Sequence, residues 1–304
     1  MTVAWMNVEE VSNSEPKPKD MKPIPRISSP PSTRTHVLRS SAVLHLALCS
    51  AASAALTAYD GFDYGAASGD LTGKNGGPGW SEAYTDSGNS TVYITTGLSY
   101  GTLETSGGAS LTADGGAVTT LNFRNTGTTY GDDEAVTWIS FLAQRNGAAS
   151  TSTFAGLSFY NNGGIAAGNA EFSISNAGVG GTWRLFDNGT STTVSTSTTI
   201  ASNTTYLLVA RISWGAGAGG TDAVSLFVNP TLGIEPGVAD ASRDISMTNF
   251  DKVRIAGANA VNYTFDEIRV GDSFASVTPV PETSTSAALI LGLSSLGFRR
   301  RRAF

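Results

Sequence analysis

Short stretches in which apolar and polar residues alternate recur from residue 92 to residue 270, and none of them carries a convincing helical period. Period two marks a strand with one buried face, and it restricts the fold more than any other feature of the chain. The stretches are 92–94, 117–123, 135–142, 154–160, 171–175, 182–186, 206–214, 224–228, 253–256 and 263–270. In 135–142, Val136, Trp138 and Leu142 share one side and Ile139 and Phe141 the other, so this strand is expected to be covered on both faces. The breaks at Asn146-Gly147, Asn162-Gly163-Gly164 and Asp187-Asn188-Gly189 supply residues that tolerate positive φ in tight turns. About ten to twelve strands of this length close best as two packed sheets, so the expected fold class is all-β, a two-sheet β-sandwich over residues 59–275. A solenoid is the alternative, and the lack of a fixed repeat argues against it.

Composition narrows the chemistry. Residues 55–279 hold 20 acidic and 9 basic side chains, a net charge of −11. That disfavours nucleic acid as a partner, because affinity there rests on neutralising phosphates. It suits a soluble surface protein or a cation binder. Cys49, His36 and His45 are the only cysteine and histidines, and all precede residue 55. The β region therefore has no Ser-His-Asp triad, no Cys-His pair, no histidine-bound zinc and no disulfide.

Carboxylates remain as candidate chemistry. A retaining glycosidase needs two of them roughly 5 Å apart. Asp132, Asp133 and Glu134 are consecutive, and strand neighbours point to opposite faces, so they read as a solvated turn before Trp138. Asp266 and Glu267 are likewise expected on opposite faces, one of them making a structural hydrogen bond near the sheet end. Calcium is the more natural ligand for oxygen donors. Asp60, Asp63 and Asp266 are the candidate metal ligands, on the expectation that the first and last strands pair; the plain alternative is capping of a sheet edge. Residues 215–220 lie between two strands with no helix after them, which makes them a hairpin and not a dinucleotide loop. Residues 191–199 are almost all Ser and Thr, a polar strand or an exposed loop. Trp138, Trp183 and Trp214 read as core, whereas Trp80, in a Gly-rich loop, is the one candidate for stacking on a sugar.

The two ends read as addresses. At the C-terminus, Val280-Pro281-Glu282 precedes an apolar run over 287–298, then Arg299, Arg300, Arg301 and Arg302. The run is shorter than the about 20 residues of a full membrane span. Arginines beside it fit a cytoplasmic stop for a short transmembrane helix. A buried C-terminal helix is the alternative. Residues 276–279 read as a linker and 280–304 as the tail. At the other end, 1–33 are polar and Pro-rich and cannot fold alone; they are a cytoplasmic extension or lie before a true start downstream. Residues 34–54 form a signal helix: Arg34, His36 and Arg39, an apolar stretch over 42–48, then Ala52-Ser53-Ala54 as the cleavage pattern. Cleavage is expected near Ala54, with Ala58 the second choice.

The order Val280-Pro281-Glu282, apolar run, arginine cluster resembles the PEP-CTERM sorting tail of exported bacterial proteins. Thr283 stands where that family has its second proline. The resemblance implies processing by an exosortase-type membrane protease, transient residence in the inner membrane, and a destination at the cell surface or outside. The runs 205–211, 224–230 and 265–270, with the opening 59–64, are similar to concanavalin A-like (laminin G-like) jelly rolls. That resemblance implies a jelly-roll sandwich and a polysaccharide as possible partner, in a fold that hosts both lectins and glycosidases. The Glu-x-Asp-x-x-Glu motif of its laminarinase-like members is absent. The expected function is a non-enzymatic surface or matrix protein that binds glycan, with no nucleic acid partner and no cofactor beyond a possible Ca2+. The alternative is a polysaccharide-active enzyme working through carboxylates alone.

Overall fold

The structure is a computed structural model and describes residues 54–112, 119–148, 154–161, 164–165, 169–177, 181–258 and 262–281. The signal helix and the transmembrane helix expected from the sequence lie outside these residues. Within them no helix is long and apolar enough to cross a membrane.

The strands are β1 Leu56–Asp60, β2 Gly69–Asp70, β3 Thr85–Asp86, β4 Val92–Ile94, β5 Ala109–Leu111, β6 Thr120–Tyr130, β7 Val136–Asn146 and β8 Phe154–Tyr160. They continue with β9 Ala170–Ala177, β10 Thr182–Asp187, β11 Thr192–Thr199, β12 Thr205–Ser213, β13 Asp222–Val228, β14 Ala241–Ile245, β15 Phe250–Ala258 and β16 Asn262–Gly271. One short helix, α1, spans Phe274–Val277. Every alternating stretch read from the sequence falls on a strand over its described residues, to within one residue at an end, that of 117–123 from Thr120 onward. The strands it missed are short (β2, β3, β5) or interrupted by charge (β1, β14), and too brief to show a period.

Two antiparallel sheets result. One has nine strands in the order β14-β13-β12-β7-β16-β5-β4-β2, with β1 also on β16; the other has seven, β11-β10-β9-β8-β15-β6-β3. The chain crosses from sheet to sheet at β6–β7–β8 and again at β14–β15–β16, and the first and last strands pair from Leu56↔Gly271 to Asp60↔Ile268. This is the two-sheet jelly-roll sandwich. Its core is aromatic: Phe159 stacks on Phe172 at 4.5 Å and meets Phe250 edge-on at 5.2 Å. Trp183 of the seven-stranded sheet reaches Tyr206 and Tyr263 of the other at 6.0 and 6.2 Å. With no disulfide available, this burial carries the stability.

β7 is covered on both sides, as its sequence suggests. Ile139 and Phe141 enter the main core, while Trp138 and Leu142 join a second apolar cluster on the outside of the nine-stranded sheet. That cluster is roofed by Leu103 from the 97–108 loop, by Leu232 from the β13–β14 connection, and by Phe274 and Val277 of α1. The nine-stranded sheet is therefore sealed over much of its outer face.

The turns follow the sequence with one correction. Gly147 takes φ 111° after β7, and Asp132, Asp133 and Glu134 form an exposed turn with Glu134 at φ 66°. Residues 215–220 are the β12–β13 hairpin, and β11 is the polar edge strand. In the β10–β11 turn, however, the left-handed residue is Ser191, at φ 54°, and not Gly189. The Asp187 carboxylate explains this: it accepts from Thr190 N at 3.1 Å and Thr190 Oγ1 at 2.5 Å, which closes the turn one residue pair later. Asn162 and Gly163 lie outside the described residues.

Candidate functional site

The three candidate calcium ligands do not assemble a cation site. Among the described residues no group of three or more Asp, Glu, His or Cys side chains is placed to hold a metal ion. Asp60 is buried and already answered by a cation: Arg124 Nη1 lies 2.5 Å from its Oδ2, and Tyr64 donates to the same oxygen at 2.6 Å. Asp63 is exposed. Asp266 is fully buried, and burial, reinforced by the adjacent Glu267, pushes its carboxyl up to about 9. A neutral carboxyl group is a poor ligand for Ca2+.

Asp266 and Glu267 also depart from the strand rule. The register of β16 against β7 shifts between Asp266 and Arg269, and Glu267 takes φ 56°. This bulge turns both carboxyl groups toward the 97–108 loop. Asp266 Oδ2 accepts from Leu98 N at 2.7 Å, and Glu267 Oε1 from Ser106 N at 2.5 Å. Glu267 Oε2 accepts from Tyr59 at 3.0 Å and pairs with Arg269. The two acids thus pin both ends of the loop that roofs the second apolar cluster. Their role is structural.

Trp80 is also spoken for. Its indole N–H donates to Tyr59 O at 2.9 Å, and the Arg124 guanidinium lies 4.9 Å from its ring centre. It packs against the main core, so it is not a free stacking platform.

The surface best suited to a ligand is the outer face of the seven-stranded sheet. Phe159, Ile174, Leu185 and Ile255 point into the sandwich. Their sequence neighbours Ser158, Ser173, Arg184 and Arg254 therefore point out. The register aligns Phe123, Arg254, Ser158, Ser173 and Phe186 in one row across β6, β15, β8, β9 and β10. The neighbouring row is Leu121, Ala256, Gly156, Ser175 and Arg184. Small residues occupy the middle strands and long ones the flanks; Ser158, Ser173 and Ser175 are themselves buried, while Arg184, Phe186 and Arg254 are half-buried. A Cβ on Gly156 would meet Ile174 O at 2.3 Å, so the face cannot be built up there without moving β9.

Two guanidinium groups lean over these serines from opposite sides. Arg254 Nη2 donates to Ser158 Oγ at 2.8 Å, and its Cζ lies 5.3 Å from the Tyr160 ring centre and 5.8 Å from that of Phe154. Arg184 Nε donates to Ser175 Oγ at 3.1 Å, and its Cζ lies 5.3 Å from the Phe186 ring. Ser158 also accepts from Ser173 Oγ at 2.8 Å, and Ser173 from Asn188 Nδ2 at 3.1 Å. Desolvation lowers the pKa of both arginines from its ordinary value. Among the described residues the ion pairs are Arg124–Asp60, Arg243–Asp187 and Arg269–Glu267, so neither arginine of this face has a carboxylate partner. Lys252 lies on the same face, opposite Tyr160 and Asn125. Three of the nine cations of residues 55–279 thus gather on one face of an acidic domain.

β9 also carries Glu171, at the bulge opposite Phe159 and Tyr160. Burial raises its pKa against hydrogen bonds from Thr248 N at 3.2 Å and from Asn161 Nδ2. No carboxylate occupies the described outward positions of β8, β9, β10 and β15 named above.

A second depression, of roughly 430 Å³, lies beside Gly97 and Leu98 at the unsealed end of the nine-stranded sheet. Its amides are paired internally, Gln144 Nε2 with Thr205 Oγ1 at 3.3 Å and Asn146 Nδ2 with Thr264 Oγ1 at 2.8 Å. It lacks the unanswered charge of the other face.

No family model and no curated relative matches the chain. Solved structures similar to it include an endo-β-1,4-glucuronan lyase from the fungus Trichoderma reesei, at 13% identity over 69% of this chain and 97% of that one, with a TM-score of 0.43. Another is the calreticulin globular domain of T. cruzi, at 10% identity, 70% and 88% coverage and a TM-score of 0.43. A third is lectin II from Ulex europaeus, at 9% identity, 62% and 92% coverage and a TM-score of 0.39. Likeness of this order says nothing about ligand or activity.

The reading of the sequence missed Arg184, Arg254 and the three serines. A signal was there: Lys252-Val253-Arg254-Ile255 and Ser173-Ile174-Ser175 alternate, so their polar members had to share outer faces. What the sequence withheld was that β8, β9, β10 and β15 are neighbours.

Proposed function

We propose that this protein is exported and works outside the cell as a non-enzymatic glycan-binding surface protein. One observation carries the reading: the outer face of the seven-stranded sheet carries two half-buried arginines, each beside an aromatic ring and neither paired with a carboxylate among the described residues, while the other sheet's outer face is largely sealed. Hydroxyls, guanidinium groups and ring faces are the groups that hold sugars. Among the described residues the outward positions of β8, β10 and β15 named above carry no carboxylate, which supports binding over glycosidic hydrolysis, a reaction that uses two. Burial raises the pKa of Glu171, and this is the observation that favours the second reading, a polysaccharide-active enzyme, since a general acid needs a carboxyl group shifted in that direction.

Export rests on the ends of the chain. Both leave the sandwich along the last strand: Ala55 N bonds Asp272 Oδ1 at 2.8 Å, and Pro279 O accepts from Glu104 N at 3.0 Å. The signal and the sorting tail flank a finished domain, and cutting at Ala54 and after Pro281 would leave every strand intact. Mass spectrometry of the cell-surface or secreted form should give a chain beginning near Ala55 and ending after about Pro281. Recovery of the uncut chain from the cytosol would overturn export.

Incubation with a panel of polysaccharides tests the activity. Retention on at least one immobilised polymer, with no new chain ends released, is the expected result. Release of reducing or unsaturated ends that stops in Glu171→Gln would establish the enzyme instead.

A further inference from the structure

The two guanidinium groups are the part of the face that its own residues do not explain. Each Arg has five N–H donors and no acceptor. Among the described residues Arg184 and Arg254 each spend one donor on a serine hydroxyl. Arg254 Nε is buried with no hydrogen-bond partner. Removing a guanidinium from water without an anion beside it is costly, so such groups are ordinarily found paired. Arg124 and Arg269 follow that rule, buried against Asp60 and Glu267, whereas Arg145 and Arg211, like Arg254, have a buried Nε with no hydrogen-bond partner. Among the described residues the domain brings none of its acidic side chains into an ion pair with Arg184 or Arg254.

We infer that the outer face of the seven-stranded sheet binds an acidic polysaccharide, with carboxylate or sulfate groups of the sugar chain seated on Arg254 and Arg184. The inference deepens the glycan-binding reading and rests on it. The planar guanidinium fork matches an oxyanion two bonds at a time. The spacing suits a polymer more than a single anion. Ser158 and Ser175, on which the two arginines rest, occupy neighbouring strands two residues out of register, a diagonal of roughly 7–8 Å. Two separate anchors resting on that diagonal fit successive charged groups along a chain. Phe154, Tyr160 and Phe186 hold the guanidinium groups by their rings, which fixes the forks before the ligand arrives. The overall charge of −11 over residues 55–279 excludes broad affinity for polyanions, so the attraction is local to this face.

Affinity electrophoresis of the full chain in gels containing polygalacturonate, a sulfated galactan, a neutral β-glucan or no polymer tests this. A parallel lane set carries single-stranded DNA. The acidic polymers should retard the protein, and salt should weaken the effect; the neutral glucan and DNA should not retard it. Comparison of the carboxylated and sulfated gels identifies which anion the arginines take. Arg254→Gln and Arg184→Gln should each weaken binding about tenfold or more, and Arg184→Lys, which keeps the charge and loses the fork, should recover only part. Arg184 is half-buried and makes one hydrogen bond here, so its variant decides the matter should Arg254→Gln fail to fold. Equal retardation by the neutral glucan, or unchanged binding in both variants, would overturn the acidic ligand and leave glycan binding standing. Retardation by DNA as strong as by polygalacturonate would overturn it too, as unselective anion exchange. No retardation in any gel would remove both readings together.

Discussion

Replacing Arg124 with methionine should destabilise the domain by about 3–5 kcal/mol, the cost of leaving one partner of a buried ion pair alone. Arg124 is 1% exposed and works as a hub. Its Nη1 holds Asp60 at 2.5 Å, its Nη2 donates to Asn75 Oδ1 at 2.8 Å and to Gly76 O at 2.6 Å, and its Nε donates to Glu82 O at 3.0 Å. The guanidinium lies between the rings of Trp80 and Tyr84, at 4.9 and 5.1 Å from their centres. One side chain thus ties the whole 59–84 segment to β6. Losing it strands the Asp60 carboxylate, which then keeps neutral donors such as Tyr64 and Phe62 N but no cation. Asp60→Asn combined with Arg124→Met removes both charges, so the double variant should recover much of the loss. Urea unfolding of the two single variants and the double variant measures this. Additive costs, or a loss below about 1 kcal/mol in Arg124→Met, would show that the hub is not coupled to Asp60.

Arg124 also marks the limit of what alternation reveals. Period two identified β6, but not which face is inside. Leu121 and Phe123 are the apolar members of Leu121-Asn122-Phe123-Arg124, and a binary pattern places them in the core. The register does the opposite: Asn122 and Arg124 lie opposite Ile255 and Val253, which are core residues, and Leu121 and Phe123 face out beside Tyr160. The reason is non-local. The inner side of β6 at this end is covered by the polar 59–91 segment, whose Asp60, Thr91 and Glu82 O supply partners. A buried arginine is readable only once its acceptors are known. The strands of the candidate site were legible for the converse reason: β8, β9, β10 and β15 each carry local alternation with branched or aromatic residues inside. Their order in the sheet depends on crossovers between the sheets, and local pattern contains no trace of those. The calcium reading failed on the same ground. It needed only that the first and last strands pair, which they do, but a bulge and an arginine then redirected two of the three carboxylates.

That bulge sets the pH dependence of the fold. The Asp266 carboxyl is pushed up to about 9, first by burial and then by Glu267 beside it; an unfolded aspartate titrates near 3.9. Across this window the native protein holds a proton that the unfolded chain has released. Stability should therefore be fully present below the ordinary carboxylate range and fall as pH rises toward about 9, with a slope of up to about 1.4 kcal/mol per pH unit for one proton. Burial raises Glu267 as well, against the pull of Arg269, which works in the same direction. Urea midpoints at about pH 5 and about pH 8 should thus differ by a few kcal/mol in free energy. Asp266→Asn cannot ionise and should flatten the profile. It should also lower stability at acid pH, because the amide offers one acceptor where Leu98 N and Glu267 N now find two. A profile that stays level or climbs between these pH values would mean that those two backbone donors keep Asp266 ionised against its burial, and that the proton assigned to the native state is not there.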